Sequence, residues 1–178
     1  MDKVLFSEEQ RFTQWWLYLI VSISLLTILT PFVYGIYSQE VLDEPFGDNP
    51  MSTEGLIVTG FFSVLFTAFI FFVVLRSKLK TKITTVGISV CFPPLIRKWK
   101  NFVPEEIEKF EVRKVRIKRE FGGYGIRRRR KHGTAYTVSG NIGLQLIFKN
   151  GKRLLIGTQK KQAIEYAMEK LMESENPD

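Results

Sequence analysis

Two long stretches of uncharged, mostly apolar residues dominate the N-terminal half of the chain. The first, residues 13–39, contains no charged residue, and the second is GLIVTGFFSVLFTAFIFFVVL. A helix rises about 1.5 Å per residue, so about 20 apolar residues can cross the ~30 Å hydrocarbon core of a bilayer. The pattern therefore predicts two transmembrane helices, at residues 13–37 and 55–75, after a short tail of residues 1–12.

Beyond these helices the pattern changes to short β-rich runs separated by turn residues. The strand-like runs are ITTVGISVCF, FEVRKVRIKREF, TAYTV, GLQLIF and RLLIG, and the turns SGN and KNG separate the last three. The Asn150-Gly151 pair is a strong hairpin signal, because both central residues of such a two-residue turn adopt positive φ. This succession predicts a compact antiparallel β domain at residues 76–178.

The last predicted element is an amphipathic helix near the C-terminus. Within KKQAIEYAMEKLMES, apolar residues recur at spacings of three and four: Ile164, Ala167, Met168, Leu171 and Met172. Such a stripe is typical of a helix that packs against a core, and Thr158 is a suitable N-cap. The chain is therefore predicted to be a membrane-anchored α+β protein, in which a two-helix transmembrane hairpin precedes a bent β-sheet or barrel capped by the C-terminal helix.

The connection between the two predicted helices, residues 38–54, differs in charge from the segments outside them. It holds five acidic residues and no lysine or arginine. Basic residues instead follow the second helix, at Arg76, Lys78, Lys80 and Lys82. By the positive-inside rule, both termini are expected in the cytoplasm and the short acidic loop outside.

The formal net charge of +8 is divided unequally along the chain. Residues 1–75 hold two basic and eight acidic residues, whereas residues 76–178 hold 24 basic and ten acidic residues. The positive charge thus belongs to the predicted cytoplasmic domain. A single cysteine, Cys91, excludes an intrachain disulfide and offers no cysteine cluster for a metal, so neither a metal nor another cofactor is expected.

The C-terminal half resembles a known family over roughly residues 77–173. The motifs GGYGIR, AYTVSGNIGLQLIF and NGKRLLIGTQK precede one amphipathic helix. This order is similar to that of bacterial pleckstrin-homology-like (PH-like) domains that follow two-helix membrane hairpins. The resemblance implies a strongly bent, seven-stranded sheet capped by the helix, and a binding or assembly role without catalytic chemistry. The expected location is a bacterial cytoplasmic (inner) membrane, which the protein crosses twice.

The stretch FGGYGIRRRRKHG contains the densest positive charge in the chain. Side chains in a strand alternate between faces, so Arg127 and Arg129 would point one way and Arg128 and Arg130 the other. One face of a barrel strand is buried, and an unpaired buried charge costs several kcal/mol. The run from Arg127 to Lys131 is therefore predicted to leave the barrel as a projecting arm.

Three interpretations of this arm and one alternative function are open. The arm could hold the domain against the anionic lipids of the inner leaflet, where each Lys or Arg gains about 1 kcal/mol, or bind an acidic protein partner, or simply be solvated. The alternative is nucleic-acid binding, with Tyr124 or Tyr136 stacking a base, although no recognised nucleic-acid-binding motif accompanies the arm. A second basic cluster, Arg97, Lys98 and Lys100 around Trp99, fits any of the surface contacts.

Small residues form a stripe on the second predicted helix. Thr59, Ser63 and Thr67 lie four residues apart and therefore share one helix face. Small side chains allow close packing of membrane helices, either within the hairpin or between copies of the protein in a homo-oligomer.

Candidate catalytic chemistry is sparse. The single histidine, His132, lies in an arginine-rich turn, and the sequence offers no serine or cysteine nucleophile that can be paired with it. The stretch GGYGIR matches neither the P-loop nor the dinucleotide-binding glycine pattern. The sequence therefore predicts a non-enzymatic binding module with no catalytic residues.

Overall fold

The computed structural model describes residues 3–173 and divides them into two compact units. The helical unit is Thr13–Leu75. The β domain combines residues 3–12 with residues 76–173, so the helical unit is an insertion between two parts of one domain. The sequence assigns residues 1–12 to a tail, but the described part of that segment belongs to the β domain.

The helical unit is built from two long helices, α1 (Trp15–Val41) and α2 (Thr53–Arg76). Both helices are long and apolar enough to cross a membrane. Their bounds differ from the predicted ones by one to four residues, and α1 continues through Pro31. The described structure therefore agrees with a pair of membrane-length helices.

Small residues allow α1 and α2 to approach each other. Gly60 of α2 is buried, and a Cβ atom there would lie 3.0 Å from the ring of Phe32 in α1. Of the predicted packing stripe, Ser63 and Thr67 are half-buried, whereas Thr59 is exposed. The close approach of the helices therefore depends on Gly60 rather than on Thr59.

The first sheet of the β domain contains four antiparallel strands in chain order, β1 (Val4–Arg11), β2 (Lys78–Thr84), β3 (Gly87–Phe92) and β4 (Ile96–Phe102). β1 and β2 pair along their length, from Val4 opposite Thr84 to Arg11 opposite Lys78. The chain therefore leaves this sheet for α1, and returns to it from α2, at two paired residues.

The second sheet contains five strands, β5 (Ile107–Lys114), β6 (Gly125–Arg129), β7 (Gly133–Thr137), β8 (Ile142–Phe148) and β9 (Arg153–Gly157). Their order is β5-β8-β9-β7-β6, and β7 and β9 pair in parallel. The described strands thus number nine in two sheets, whereas the family resemblance implies seven in one bent sheet. They form no closed barrel.

One predicted strand is partly helical. The sequence predicts a continuous strand over FEVRKVRIKREF, but β5 ends at Lys114 and a short helix, α3 (Ile117–Phe121), follows it. The strand prediction is wrong there because Ile117 and Phe121, four residues apart, are both buried in one small apolar cluster. Gly122 ends α3 with a φ of 79°, as a glycine after a helix often does.

The main core lies among the two sheets and α4 (Lys161–Glu173). The predicted apolar stripe is confirmed, because four of its members are buried: Ile164, Ala167, Met168 and Leu171. Thr158 is not the N-cap, since α4 begins three residues later. Its hydroxyl instead accepts the N–H of Lys160 at 3.0 Å and donates to the buried Glu8 carboxylate of β1 at 2.7 Å.

The predicted hairpin between β8 and β9 forms, but with a different turn. Gly151 adopts a φ of 76°, while Asn150 has negative φ. The Asn150 Oδ1 atom accepts the N–H of Lys152 at 3.0 Å, so the asparagine stabilises the turn through its side chain.

Candidate anion-binding groove

A groove of about 1170 Å³ opens in the β domain between β4 and the neighbouring ends of β6, β7 and β9. Part of its lining is apolar or aromatic: Phe102, Tyr136, Phe148 and Leu154. Seven basic residues also line it: Lys100, Arg128, Arg129, Arg130, Lys131, Lys152 and Arg153. We call this feature the β6–β7 groove. Within the described chain, no acidic residue belongs to its lining.

The β6–β7 hairpin supplies most of this charge at the edge of the second sheet. β6 is the outermost strand and pairs with β7. Ile126 lies opposite Tyr136, and both contact the main core. Because alternate strand residues share a face, Arg128 follows Ile126 on the core-facing side. Ile126 packs against the core, whereas Arg128 lies past the end of the core and lines the groove.

Arg127 and Arg129 lie on the opposite face of β6, beside the end of α3, although Arg129, which precedes the turn, also lines the groove. The Arg127 Nε atom donates to the carbonyl oxygen of Tyr124 at 3.2 Å, and Arg127 does not line the groove. The Arg129 guanidinium lies against Gly122, where a Cβ atom would come within 2.6 Å of Nη2. A side chain at position 122 would therefore displace Arg129.

The arginine run does not leave the sheet as the predicted arm would. Residues 127–129 remain in β6, and residues 130–132 form the turn to β7. Arginines fit here because β6 is an edge strand whose last residues extend past the buried core, so both faces meet solvent. Gly133 begins β7 with a φ of 82°, and a Cβ atom there would collide with the backbone carbonyl of Arg153.

Lys100 approaches the groove from the first sheet. It lies opposite the buried Val90, so it occupies the core-facing side of β4. Its Nζ atom donates to the Tyr136 hydroxyl at 2.8 Å and lies 5.6 Å from the centre of that ring. Neither the hydroxyl nor the ring is a carboxylate, so these contacts position the charge of Lys100 without neutralising it.

None of the seven basic residues of the groove forms an ion pair within residues 3–173. Two like charges about 4 Å apart repel by about 1 kcal/mol even in water. A cluster of this kind is tolerated because its side chains reach solvent, and any bound anion would relieve the repulsion. The groove is therefore suited to a ligand that carries phosphate or carboxylate groups.

A second group of basic residues, at the β1–β2 pair, is neutralised by a carboxylate. Glu9 forms ion pairs with Arg11 at 2.7 Å, Lys78 at 3.1 Å and Lys80 at 3.3 Å. Hydrogen bonds from Arg11, and then from Lys78 and Lys80, lower the pKa of Glu9 to about 2. Two of the predicted juxtamembrane cations are thus engaged within the β domain.

The other predicted contact residues lie apart from the β6–β7 groove. Arg97 and Lys98 are exposed on β4 but do not line it. Arg76 is the last residue of α2, and Lys82 is half-buried in the middle of β2. The structure therefore brings Lys100 together with the arginine run and leaves the rest of its cluster outside.

Sequence reasoning missed two basic residues of the groove, Lys152 and Arg153. They follow the KNG turn at the start of β9, which pairs in parallel with β7. The signal was present in the basic stretch KNGKR, but only the pairing of β9 with β7 brings this turn beside the arginine run.

The remaining candidate residues for metal binding or reactivity can be placed in the part of the chain that the structure describes. Residues 3–173 contain no group of three or more His, Cys, Asp or Glu side chains able to hold a metal ion. The His132 ring packs 5.7 Å from the ring of Phe121. Cys91 is buried, which raises the pKa of its thiol, and its Sγ lies 3.2 Å from the carbonyl oxygen of Ile96.

Comparison with known proteins leaves the family of the chain open. No protein-family model matches the sequence. No curated protein matches it either. The geometry of the β6–β7 groove therefore carries the functional argument.

Proposed function

We propose that this protein is a non-enzymatic, membrane-anchored binding protein whose β6–β7 groove binds the phosphate-bearing headgroups of anionic lipids. One observation carries the proposal. Seven basic side chains line one groove, and no carboxylate of the described chain pairs with them. Phosphate groups match this chemistry, because arginine binds them with charge-assisted hydrogen bonds.

The pairing of β1 with β2 supports a transmembrane hairpin. β1 precedes α1 and β2 follows α2, yet the two strands belong to one sheet. If the helices cross a bilayer, both ends of the chain must lie on the same side of it. The acidic connection and the basic β domain favour the cytoplasmic side of a bacterial inner membrane.

The architecture of the β domain supports a PH-like assignment. Two sheets enclose an apolar core, and a C-terminal amphipathic helix packs against that core. In this interpretation β1 comes from the segment before the membrane hairpin. The two membrane helices are then inserted in the chain between β1 and the rest of the domain.

Membrane lipid is favoured over nucleic acid by the state of the two tyrosines that could stack a base. Tyr136 is only 3% exposed, and Lys100 covers its hydroxyl. Tyr124 is half-buried and donates its hydroxyl to the carbonyl oxygen of Gly140 at 3.1 Å. Non-specific binding of single strands uses exposed aromatic faces, which neither residue offers.

The test measures binding of short-chain phosphatidylglycerol to the full-length protein in a neutral detergent, with short-chain phosphatidylcholine for comparison. The groove variant replaces four lining residues with serine: Arg128, Arg130, Lys152 and Arg153. The control variant replaces four exposed lysines outside the groove with serine: Lys109, Lys160, Lys161 and Lys170.

The groove variant should lose up to about a thousandfold in affinity for phosphatidylglycerol, because each cation at a headgroup contributes about 1 kcal/mol. The control variant should stay within about twofold of the wild type. Equal losses in both variants would show that net charge, not the groove, determines binding. If the groove binds a single-stranded oligonucleotide or an acidic peptide more tightly than phosphatidylglycerol, that molecule rather than lipid is its ligand.

A further inference from the structure

The turn from β3 to β4, together with the first residues of β4, combines exposed apolar side chains with exposed cations. We call residues 93–99, PPLIRKW, the β3–β4 tip. Leu95 is 61% exposed and Trp99 is 47% exposed, and neither packs in the apolar core. Arg97 and Lys98 between them are also exposed. Large apolar side chains beside lysine and arginine are typical of segments that lie in a membrane interface.

The position of this tip in the β domain is as informative as its composition. The N–H of Lys78 donates to the carbonyl oxygen of Pro93 at 2.9 Å, so the tip adjoins the first residue of β2. Lys78 in turn lies opposite Arg11, the last residue of β1. The tip is therefore at the end of the sheet where the chain leaves for α1 and returns from α2.

The connections to the helices at this end are short. Three residues, 12–14, separate β1 from α1, and one residue, Ser77, separates α2 from β2. Connections of this length hold the end of the sheet within a few residues of each helix terminus, because an extended residue spans at most about 3.6 Å.

The turn at the opposite end of the same sheet lacks this combination, although Lys3 lies beside it, because the Thr85 N–H donates to the Lys3 carbonyl oxygen at 3.1 Å. There the turn between β2 and β3 exposes Val86, which is 56% exposed, between Thr85 and Gly87. No basic or aromatic residue belongs to this turn. Each turn thus exposes an aliphatic side chain, Leu95 or Val86, but only the β3–β4 tip adds a tryptophan and two cations.

Resting on the proposed function, we propose that the β3–β4 tip is a lipid-contacting surface. Leu95 and Trp99 enter the boundary between headgroups and acyl chains, and Arg97 and Lys98 meet the headgroup phosphates. Tryptophan favours this boundary because it has an apolar body and an N–H donor. Contact at the tip, together with the two chain connections, would restrict rotation of the β domain at the membrane surface.

The experiment places a small fluorophore on single cysteines of the full-length protein in lipid vesicles, in a Cys91→Ser background. Leu95→Cys reports on the tip, and Val86→Cys is the matched control at the other end of the sheet. Phe66→Cys, an exposed position of α2, reports on insertion of the helices. Lipids brominated near the headgroup boundary quench a fluorophore at positions 95 or 86 that contacts this boundary. Lipids brominated near the ends of the acyl chains quench one at position 66, which lies near the middle of α2.

The proposal expects strong quenching at positions 66 and 95 and at least threefold weaker quenching at position 86. Equal quenching at positions 95 and 86, or none at position 95 when position 66 is quenched, overturns it. Absence of quenching at position 66 means that the helices do not insert, which overturns both the tip contact and the proposed function.

A second arm separates the tip from the groove. The four serine substitutions of the groove variant should leave quenching at position 95 unchanged, because their side chains lie outside the tip. Loss of quenching at position 95 in that variant would show that the groove, rather than the tip, holds the domain at the bilayer. If phosphatidylglycerol does not bind the groove while position 95 remains quenched, only the proposed function fails.

Discussion

Two of the basic clusters in the β domain differ in their counter-charge. At the β1–β2 pair, one carboxylate, Glu9, forms ion pairs with Arg11, Lys78 and Lys80. In the β6–β7 groove, seven basic residues have no acidic partner in the described chain. A high density of lysine and arginine is therefore not enough to mark a binding site. The location of the carboxylates separates a cluster that holds two strands together from one that remains available to a ligand.

If the groove cations are free for a ligand, the fold must depend on the apolar core rather than on them. Leu171→Asp tests this dependence most strongly, because it places a carboxylate at a fully buried position of α4. We expect the variant to lose several kcal/mol of unfolding free energy, enough to unfold a marginally stable domain. Thermal unfolding of the full-length protein in detergent measures this. An unchanged midpoint would mean that α4 is not part of the core.

Glu8 and Glu9 provide a matched pair on opposite faces of β1. Glu8 is buried and accepts hydrogen bonds from the Thr158 hydroxyl and the Gln159 N–H. Glu8→Ala leaves these donors unpaired and should cost about 1–3 kcal/mol, whereas Glu9→Ala should cost about 1 kcal/mol or less. Chemical unfolding of both variants measures the difference. Equal costs would show that the link from β1 to α4 contributes little.

The pKa of Glu9 predicts a pH dependence for the paired cluster. Its pKa is lowered from 4.5 to about 2 in the folded protein, so its contribution to stability is present above pH 4.5 and is lost as the pH falls toward 2. The ion pairs are partly exposed, so the contribution is about 1 kcal/mol at most. Glu9→Gln should remove this part of the acid sensitivity in unfolding experiments between pH 5 and about pH 2. If the wild type and Glu9→Gln show the same pH profile of stability, the ion pairs of Glu9 do not contribute to stability.

The smallest effect on stability is expected in the groove itself. Serine at Arg128, Arg130, Lys152 and Arg153 removes exposed charges that form no ion pair within residues 3–173, and each substitution should change stability by about 0.5 kcal/mol or less. Removing like charges could even raise the unfolding midpoint slightly. A large loss of stability would show that these residues support the fold, and the contrast between the two clusters would disappear.

The sequence predicts some elements well because their burial pattern is simple. Both long apolar helices and the stripe of α4 are recognisable, since each presents a uniform or strictly periodic apolar surface. β1 is different. Its inward positions are Phe6, Glu8 and Gln10, and two of these are polar. They are tolerated because Glu8 binds Thr158 and Gln159, and Gln10 donates to the carbonyl oxygen of Gly157 at 2.8 Å. No local pattern could reveal partners that lie about 150 residues away.

The groove was only partly predictable for a similar reason. Strand alternation separates Arg128 from Arg127, which does not line the groove, but not from Arg129, which does. The density of arginine draws attention to the β6–β7 turn. Lys100, Lys152 and Arg153 come from other parts of the chain, and only the sheet order brings them to the same place. Glu9 was also missed as a counter-charge, because its partners Lys78 and Lys80 follow the helical insertion.

Photochemical labelling shows where on the β domain an anionic headgroup binds. A short-chain anionic lipid with a photoreactive headgroup is crosslinked to the full-length protein in neutral detergent, and the labelled peptides are identified by mass spectrometry. The groove predicts that labels concentrate on residues 128–134 and 151–154, compete with phosphatidylglycerol and decrease with salt, which screens the charges. Labels concentrated around Arg11, Lys78 and Lys80, or spread evenly over the basic residues of the β domain, would contradict the claim that the unpaired groove is the anion-binding site.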